Sequence, residues 1–178
     1  NEIMSHLDWA PTLLAVAGNT DVKDKLLKGY EANGKTYKNH LDGYNMLDYL
    51  SGKTNESPRR EFWYVNDDGQ VVAARYNDWK VTFLEQESHG LRVWQDPFKP
   101  LRAPLLTNLR MDPFERAFDE STGHPIWAAS RMFVLAPAGA YVGQWLQSFR
   151  EFPPRMKPGS FSLDRVMESV TAPQKGHN

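Results

Sequence analysis

The sequence predicts an α+β fold: a small antiparallel four-stranded sheet packed by a C-terminal helix, with a strand-then-helix segment in front. Three observations predict it. Phe62 to Val65, Val71 to Tyr76 and Lys80 to Leu84 are strand-like runs joined by tight turns. Leu105 to Leu109, LLTNL, supplies a fourth strand after a loop rich in Pro and Trp. The run HPIWAASRMFVLAPAGAYVGQWLQSFREF follows all four and is largely helical, interrupted at Pro137.

In chain order, SHLDWAPTLLAVAG comes first. Asp8 is placed to accept hydrogen bonds from the free N–H groups of a first helical turn, where Pro11 is tolerated. Leu13, Leu14, Val16 and Ala17 follow, and Gly18 suits a left-handed cap. Ile3, Met4 and Leu7 in front read as the end of a buried strand. Such a unit normally packs inside a larger α/β sheet, yet no other parallel strand is visible. DVKDKLLKGY is a short amphipathic helix, and Asn33-Gly34 marks a hairpin turn. YNMLDYLSG makes one or two helical turns, capped by Asn45 and closed by Gly52. SGKTNESPRR is polar and turn-rich, and divides the chain into residues 1–55 and 56–178. In the sheet, Asn66 to Gly69 forms one turn and Asn77-Asp78 the next. Beyond the long helical run, PPRMKPGS breaks structure and SLDRVMESV forms a last short helix.

The 178 residues are 40% hydrophobic and 24% charged, which fits a globular chain long enough to bury a core. A net charge of −1 advertises neither nucleic acid nor a membrane surface as partner. There is no Cys, so disulfides, thiolate metal sites and Cys nucleophiles are excluded. No apolar run reaches the ~20 residues of a membrane span. The start, NEIMSHLDW, lacks an initiator Met and reads as cut from something longer.

Candidate chemistry is sparse. His6 and Asp8 are two apart, but Asp8 as a cap and His6 at a strand end explain the pair without a metal. Asp67-Asp68-Gly69 lacks the alternating ligands and distant Glu of a calcium loop and suits a hairpin turn. His40, His89, His124 and His177 are scattered, with no H-x-x-x-H or H-E-x-x-H spacing. No G-x-S-x-G elbow or glycine-rich phosphate loop occurs. Arg59-Arg60 reads as a solvated strand edge that discourages edge-to-edge pairing. Trp63, Tyr64, Tyr76, Trp79 and Phe83 are expected to pack against the helix carrying Trp127, Phe133 and Trp145, with a ligand-stacking platform as the rival reading. The sequence assigns no catalytic, cofactor-binding or metal residue.

Four segments, in order, resemble the C-terminal part of type I sulfatases, bacterial arylsulfatases especially. SHLDWAPTLLAVAG is similar to the family's hydrophobic-D-x-x-P-T-L-L run ending in Gly. DGYNMLDYLSG is similar to its D-G segment ending in L-x-G. PRREFWYVNDDGQVVAARYNDWKVTF resembles its hairpin of P-R, aromatics, A-x-R and D-W-K. LLTNLRMDPFERA resembles L-Y-N-L-x-x-D-P-x-E, with Thr107 where Tyr is usual. The resemblance runs from about Met4 to Ala117; from Phe118 onward the chain is less distinctive.

The resemblance implies that residues 1–55 are the tail of a large alkaline-phosphatase-like α/β domain and residues 56–178 the sheet subdomain that buttresses it and helps wall its cleft. It implies sulfate-ester hydrolysis by a parent protein, exported to the periplasm or secreted, through a formylglycine made from C/S-x-P-x-R and a bound calcium. Those groups lie upstream in the family. The two P-x-R tripeptides here carry Phe98 and Glu151 at the would-be nucleophile position, and Ser57-Pro58-Arg59-Arg60 has the wrong spacing. The chain alone is therefore expected to be inactive. Its expected partners are the upstream catalytic domain or a second copy, with no nucleic acid and no membrane. The alternatives are a free-standing binding module that uses the aromatic sheet, or a hydrolase assembled from scattered His, Asp and Ser.

Overall fold

The structure, a computed structural model, describes residues 2–164. His177 and most of the expected last helix at 162–170 lie outside the described residues.

Ser5 opens the fold. Its backbone N–H donates to Asp8 Oδ2 at 2.8 Å and its hydroxyl accepts from Leu7 N, a reciprocal cap on a 3-10 turn at His6–Asp8. Helix α1, Trp9–Val16, continues from this turn, and Gly18 takes a φ of 92° just beyond it. Residues 2–5 form no strand, which corrects the expectation for Ile3, Met4 and Leu7. A strand needs a partner strand to bond its backbone, and among the described residues no strand pairs with this segment.

Helix α2, Val22–Lys28, leads into a two-stranded hairpin of β1, Tyr30–Ala32, and β2, Lys35–Tyr37. Asn33 and Gly34 both sit at positive φ, as a two-residue turn requires. The chain then crosses the start of α1 at Gly43. A Cβ there would stand 2.0 Å from the Leu7 carbonyl oxygen, so no other residue fits. A one-turn helix, α3, Leu47–Leu50, begins where Asn45 Oδ1 accepts from Leu47 N.

The main sheet is an antiparallel meander in the order β3, Glu61–Val65; β4, Val71–Tyr76; β5, Trp79–Glu85; β6, Lys99–Asn108. Fold class and strand order are those expected. β6 begins earlier than the sequence indicated, and its pairing with β5 breaks between Thr82 and Leu84. A 3-10 turn at Gly90–Trp94 fills the long loop.

Cross-strand partners Trp63, Ala74 and Val81 share a face with Tyr76 and Trp79. Helix α6, Leu135–Glu151, lies over that face. Trp63 stacks on Tyr141 at 5.0 Å and on Trp145 at 4.9 Å, and Tyr76 meets Tyr141 edge-on. Trp79 stacks on Trp127, which belongs to α5, His124–Ala129. The packing expectation therefore holds for Trp63, Tyr76, Trp79, Trp127 and Trp145. It fails for Tyr64, which lies on the opposite face beside Phe62 and Lys80, and for Phe133, which is largely exposed on a 3-10 turn at Met132–Val134. That turn, not Pro137, interrupts the helical run. Pro137 is the third residue of α6, where its missing N–H has no intrahelical partner to lose. A short helix, α4, Ala117–Glu120, precedes α5, and His124 is buried with Nε2 3.2 Å from the Leu106 carbonyl. Ala73, Ala74, Val81 and Leu106 form the core of the sheet.

Candidate functional site

Asp8 is fully buried, and so nearly is Arg59, 51 residues away. Arg59 Nη2 donates to Asp8 Oδ1 at 2.6 Å and Nε to Oδ2 at 2.8 Å, a two-pronged ion pair. Asp8 also accepts from Tyr44 N at 2.8 Å. Arg59 Nη1 donates to the Glu61 carbonyl and Nη2 to the Asp42 carbonyl, both at 3.0 Å. Two expectations are corrected. Asp8 is not a simple cap for α1, because its carboxylate faces Arg59 and Tyr44. Arg59 is not a solvated edge residue; only Arg60 is exposed, paired with Glu56. The buried carboxylate needs a cation, and a guanidinium offers the planar fork that satisfies both its oxygens.

Around this pair the motif residues converge. Thr12 Oγ1 donates to Asp8 O at 2.6 Å and accepts from Met46 N at 2.9 Å. Ser57 Oγ donates to Ile3 O at 2.6 Å and accepts from Arg59 N at 3.0 Å. Residues from Ile3 to Glu61 thus form one polar joint between α1, the Gly43 crossing and the entry to β3.

Beside the joint is a cleft of about 320 Å³ lined by Lys23, His40, Asp42, Tyr44, Glu61 and Tyr141, among others. The Tyr44 hydroxyl donates a short hydrogen bond to Glu61 Oε1. Lys23 and Arg59 both lie over the Tyr44 ring, at 4.7 and 4.8 Å. His40 Nδ1 is 3.3 Å from Asp42 Oδ1, which also accepts from Trp145 Nε1.

The electrostatics follow from burial and pairing. Burial opposes ionisation of Asp8, but the Arg59 bond and the Tyr44 and Ser5 N–H groups outweigh it and hold the carboxyl below its ordinary value. For Arg59, burial is likewise outweighed by Asp8, and its pKa is raised. Burial pushes Tyr141 up to about 12, aided by the charge on Glu61. Tyr44 moves the same way for the same reasons. Lys23 is lowered by burial, against the pull of Asp42.

The other sequence candidates stay apart. His6 makes no bond to Asp8. His40 reaches the cleft, whereas His89 and His124 stand elsewhere. The turn Asn66–Gly69 is a hairpin turn, with Gly69 at φ 77° and Asn66 Oδ1 accepting from Asp68 N and Gln70 N. Asp68 is bonded to Ser160 N and Oγ, at 2.6 and 2.5 Å. Sequence reading missed Lys23, Tyr44, Glu61 and Tyr141 as cleft residues. Glu61 is buried at the first position of β3, a rare place for a carboxylate that only the structure reveals.

Among the described residues no group of three or more His, Asp or Glu is placed to hold a metal ion, and none of their helices is long and apolar enough to cross a membrane. The sequence has no Cys and no correctly spaced Ser from which a formylglycine could be made.

No protein-family model and no curated protein matches the sequence. Among solved structures the chain is similar to the PsFucS1 sulfatase from Pseudoalteromonas sp., at 21% identity and a TM-score of 0.57. The match covers 86% of this chain and 27% of that one. The chain thus has the fold of part of a sulfatase and spans about a quarter of its length.

Proposed function

We propose that this chain is the C-terminal part of an arylsulfatase-like sulfuric ester hydrolase, catalytically silent by itself, that supports an upstream catalytic domain and walls its cleft. The observation that carries the reading is the fold match, which takes in most of this chain but only about a quarter of a sulfatase. On this reading residues 1–55 are the tail of the large α/β domain and residues 56–178 the sheet subdomain. Calcium, formylglycine and the sulfate-binding side chains belong to the upstream domain. The exposed apolar side of α1 supports the same reading, since Leu13 and Val16 stay mostly uncovered by the described residues. The aromatic sheet face is spent on α6, which weighs against a free-standing module built on that platform.

The test is an aryl sulfate assay with calcium, with and without EDTA, on this chain and on the protein with its upstream region. The chain alone should be silent and the longer protein active. EDTA-sensitive turnover by the chain alone, above a boiled control, would sink the proposal.

A further inference from the structure

The two edges of the main sheet are built differently. β6, at one edge, carries Lys99, Pro100, Arg102 and Pro104 and a break in register, all devices that discourage another strand from pairing. β3, at the other edge, reads Glu61-Phe62-Trp63-Tyr64-Val65, with no Pro, no Lys and high strand propensity.

The backbone directions on β3 follow from two bonds. Asn77 N donates to Arg60 O at 2.7 Å, and Asn66 N to Gln70 O at 3.1 Å. In an antiparallel ladder, bonded residues alternate. Arg60, Phe62, Tyr64 and Asn66 therefore turn their backbone groups toward β4, and Glu61, Trp63 and Val65 turn theirs outward. The Glu61 carbonyl confirms the direction, because Arg59 Nη1 caps it from outside at 3.0 Å. Among the described residues nothing caps Trp63 or Val65 in this way. Alongside this edge runs a largely apolar groove of about 510 Å³, lined by Leu7, Phe62, Tyr64, Val65 and Phe98 among others. Leu7, 54% exposed, lines the groove two residues before the start of α1.

Resting on the functional reading above, we propose that an extended segment of the upstream domain adds to β3 as a fifth strand. It would bond the outward N–H and C=O groups of Trp63 and Val65 and place alternate side chains in the groove. The occupant is upstream chain because this chain spans only about a quarter of the sulfatase it matches, and the groove reaches Leu7, two residues before the helix whose exposed side is assigned to that domain.

Hydrogen exchange on the protein with its upstream region tests this. The Trp63 and Val65 amides should exchange at least about tenfold slower than in this chain alone, and Val65→Pro should restore fast exchange at Trp63 while Val65→Ala does not. Leu13→Glu reports separately on the reading beneath, by loosening the longer protein. Loosening by Leu13→Glu with fast exchange at Trp63 and Val65 would overturn the strand addition alone. A neutral Leu13→Glu together with fast exchange would overturn both. Protection in this chain alone that fades on dilution would assign the edge to a second copy and also overturn the proposal.

Discussion

Helix α1 and the main sheet are stabilised on opposite principles. α1 buries Pro11, Thr12 and Ala15 and leaves Leu13 and Val16 60% and 63% exposed. Bonds that Asp8 and Thr12 accept from the Tyr44 and Met46 N–H groups hold it in place. The sheet buries Ala73, Ala74, Val81 and Leu106 and is clasped to α6 by stacked rings. An eight-residue helix is marginal without tertiary support. Here that support comes through the residues a core helix would normally turn away from its partner. A helix fixed by its polar side and apolar on its free side has room for a partner on that free side.

The comparison predicts where the chain is most fragile. Asp8→Ala leaves Arg59 buried without its counter-ion, and should cost about 3–5 kcal/mol. Urea denaturation checks it, and Asp8→Ala/Arg59→Met should lose less than the two single changes added together. The same pair gives an acid limb: its stabilisation is present above the ordinary aspartate value of 3.8 and is lost as pH falls below it. A loss under 1 kcal/mol for Asp8→Ala would mean that the joint is incidental. On the other side of the comparison, Trp63→Ala removes the ring stacked on both Tyr141 and Trp145 and should cost about 3 kcal/mol. Its near-UV circular dichroism should collapse while the α1 amides remain protected. Loss of protection in both regions at once would merge the two principles into one.

The sheet was legible because alternation and turn chemistry are local. Asn66 to Gly69 and Asn77 set the hairpins, and the aromatic rows declared a packed face. The joint was legible only as pattern. Asp8, Gly43 and Arg59 stood out in segments that resemble a family, but nothing local shows that a carboxylate at position 8 meets a guanidinium at 59. Asp8 looked like a cap because capping is its common use, and Arg59 looked solvated because arginine seldom buries alone. The cleft was less legible still, since Lys23, Tyr44, Glu61 and Tyr141 come from four separate segments. The break in the long helical run was misplaced because Pro137 is the obvious breaker, yet proline fits a first turn.

A smaller effect sharpens the electrostatic side. Tyr141 is raised from 10.0 to about 12 and Tyr44 is raised too, so both phenols stay neutral in the fold when free tyrosine ionises. A raised pKa contributes stability that is fully present below about pH 10 and is lost as pH rises from there toward 12. Stability should fall across that window in denaturation series, and Tyr141→Phe should flatten part of the fall. An unchanged slope in Tyr141→Phe would separate the phenol from the Glu61 carboxylate.

The smallest effect on the chain's own stability is the most informative about its surface. Leu13 and Val16 already stand mostly in water. Leu13→Glu or Val16→Glu should therefore shift the unfolding free energy by no more than about 0.5 kcal/mol. Each side chain is worth roughly 1.5–3 kcal/mol when fully buried, so what the changes alter is association. Light scattering on the purified chain should show self-association, or a copurifying polypeptide, and Leu13→Glu/Val16→Glu should abolish it. A clean monomer with residues 1–20 protected from exchange would mean that this chain covers α1 itself, and the contrast between helix and sheet would dissolve. A large loss of stability in Leu13→Glu would point the same way, because a residue whose charge the fold cannot tolerate is not waiting for a partner.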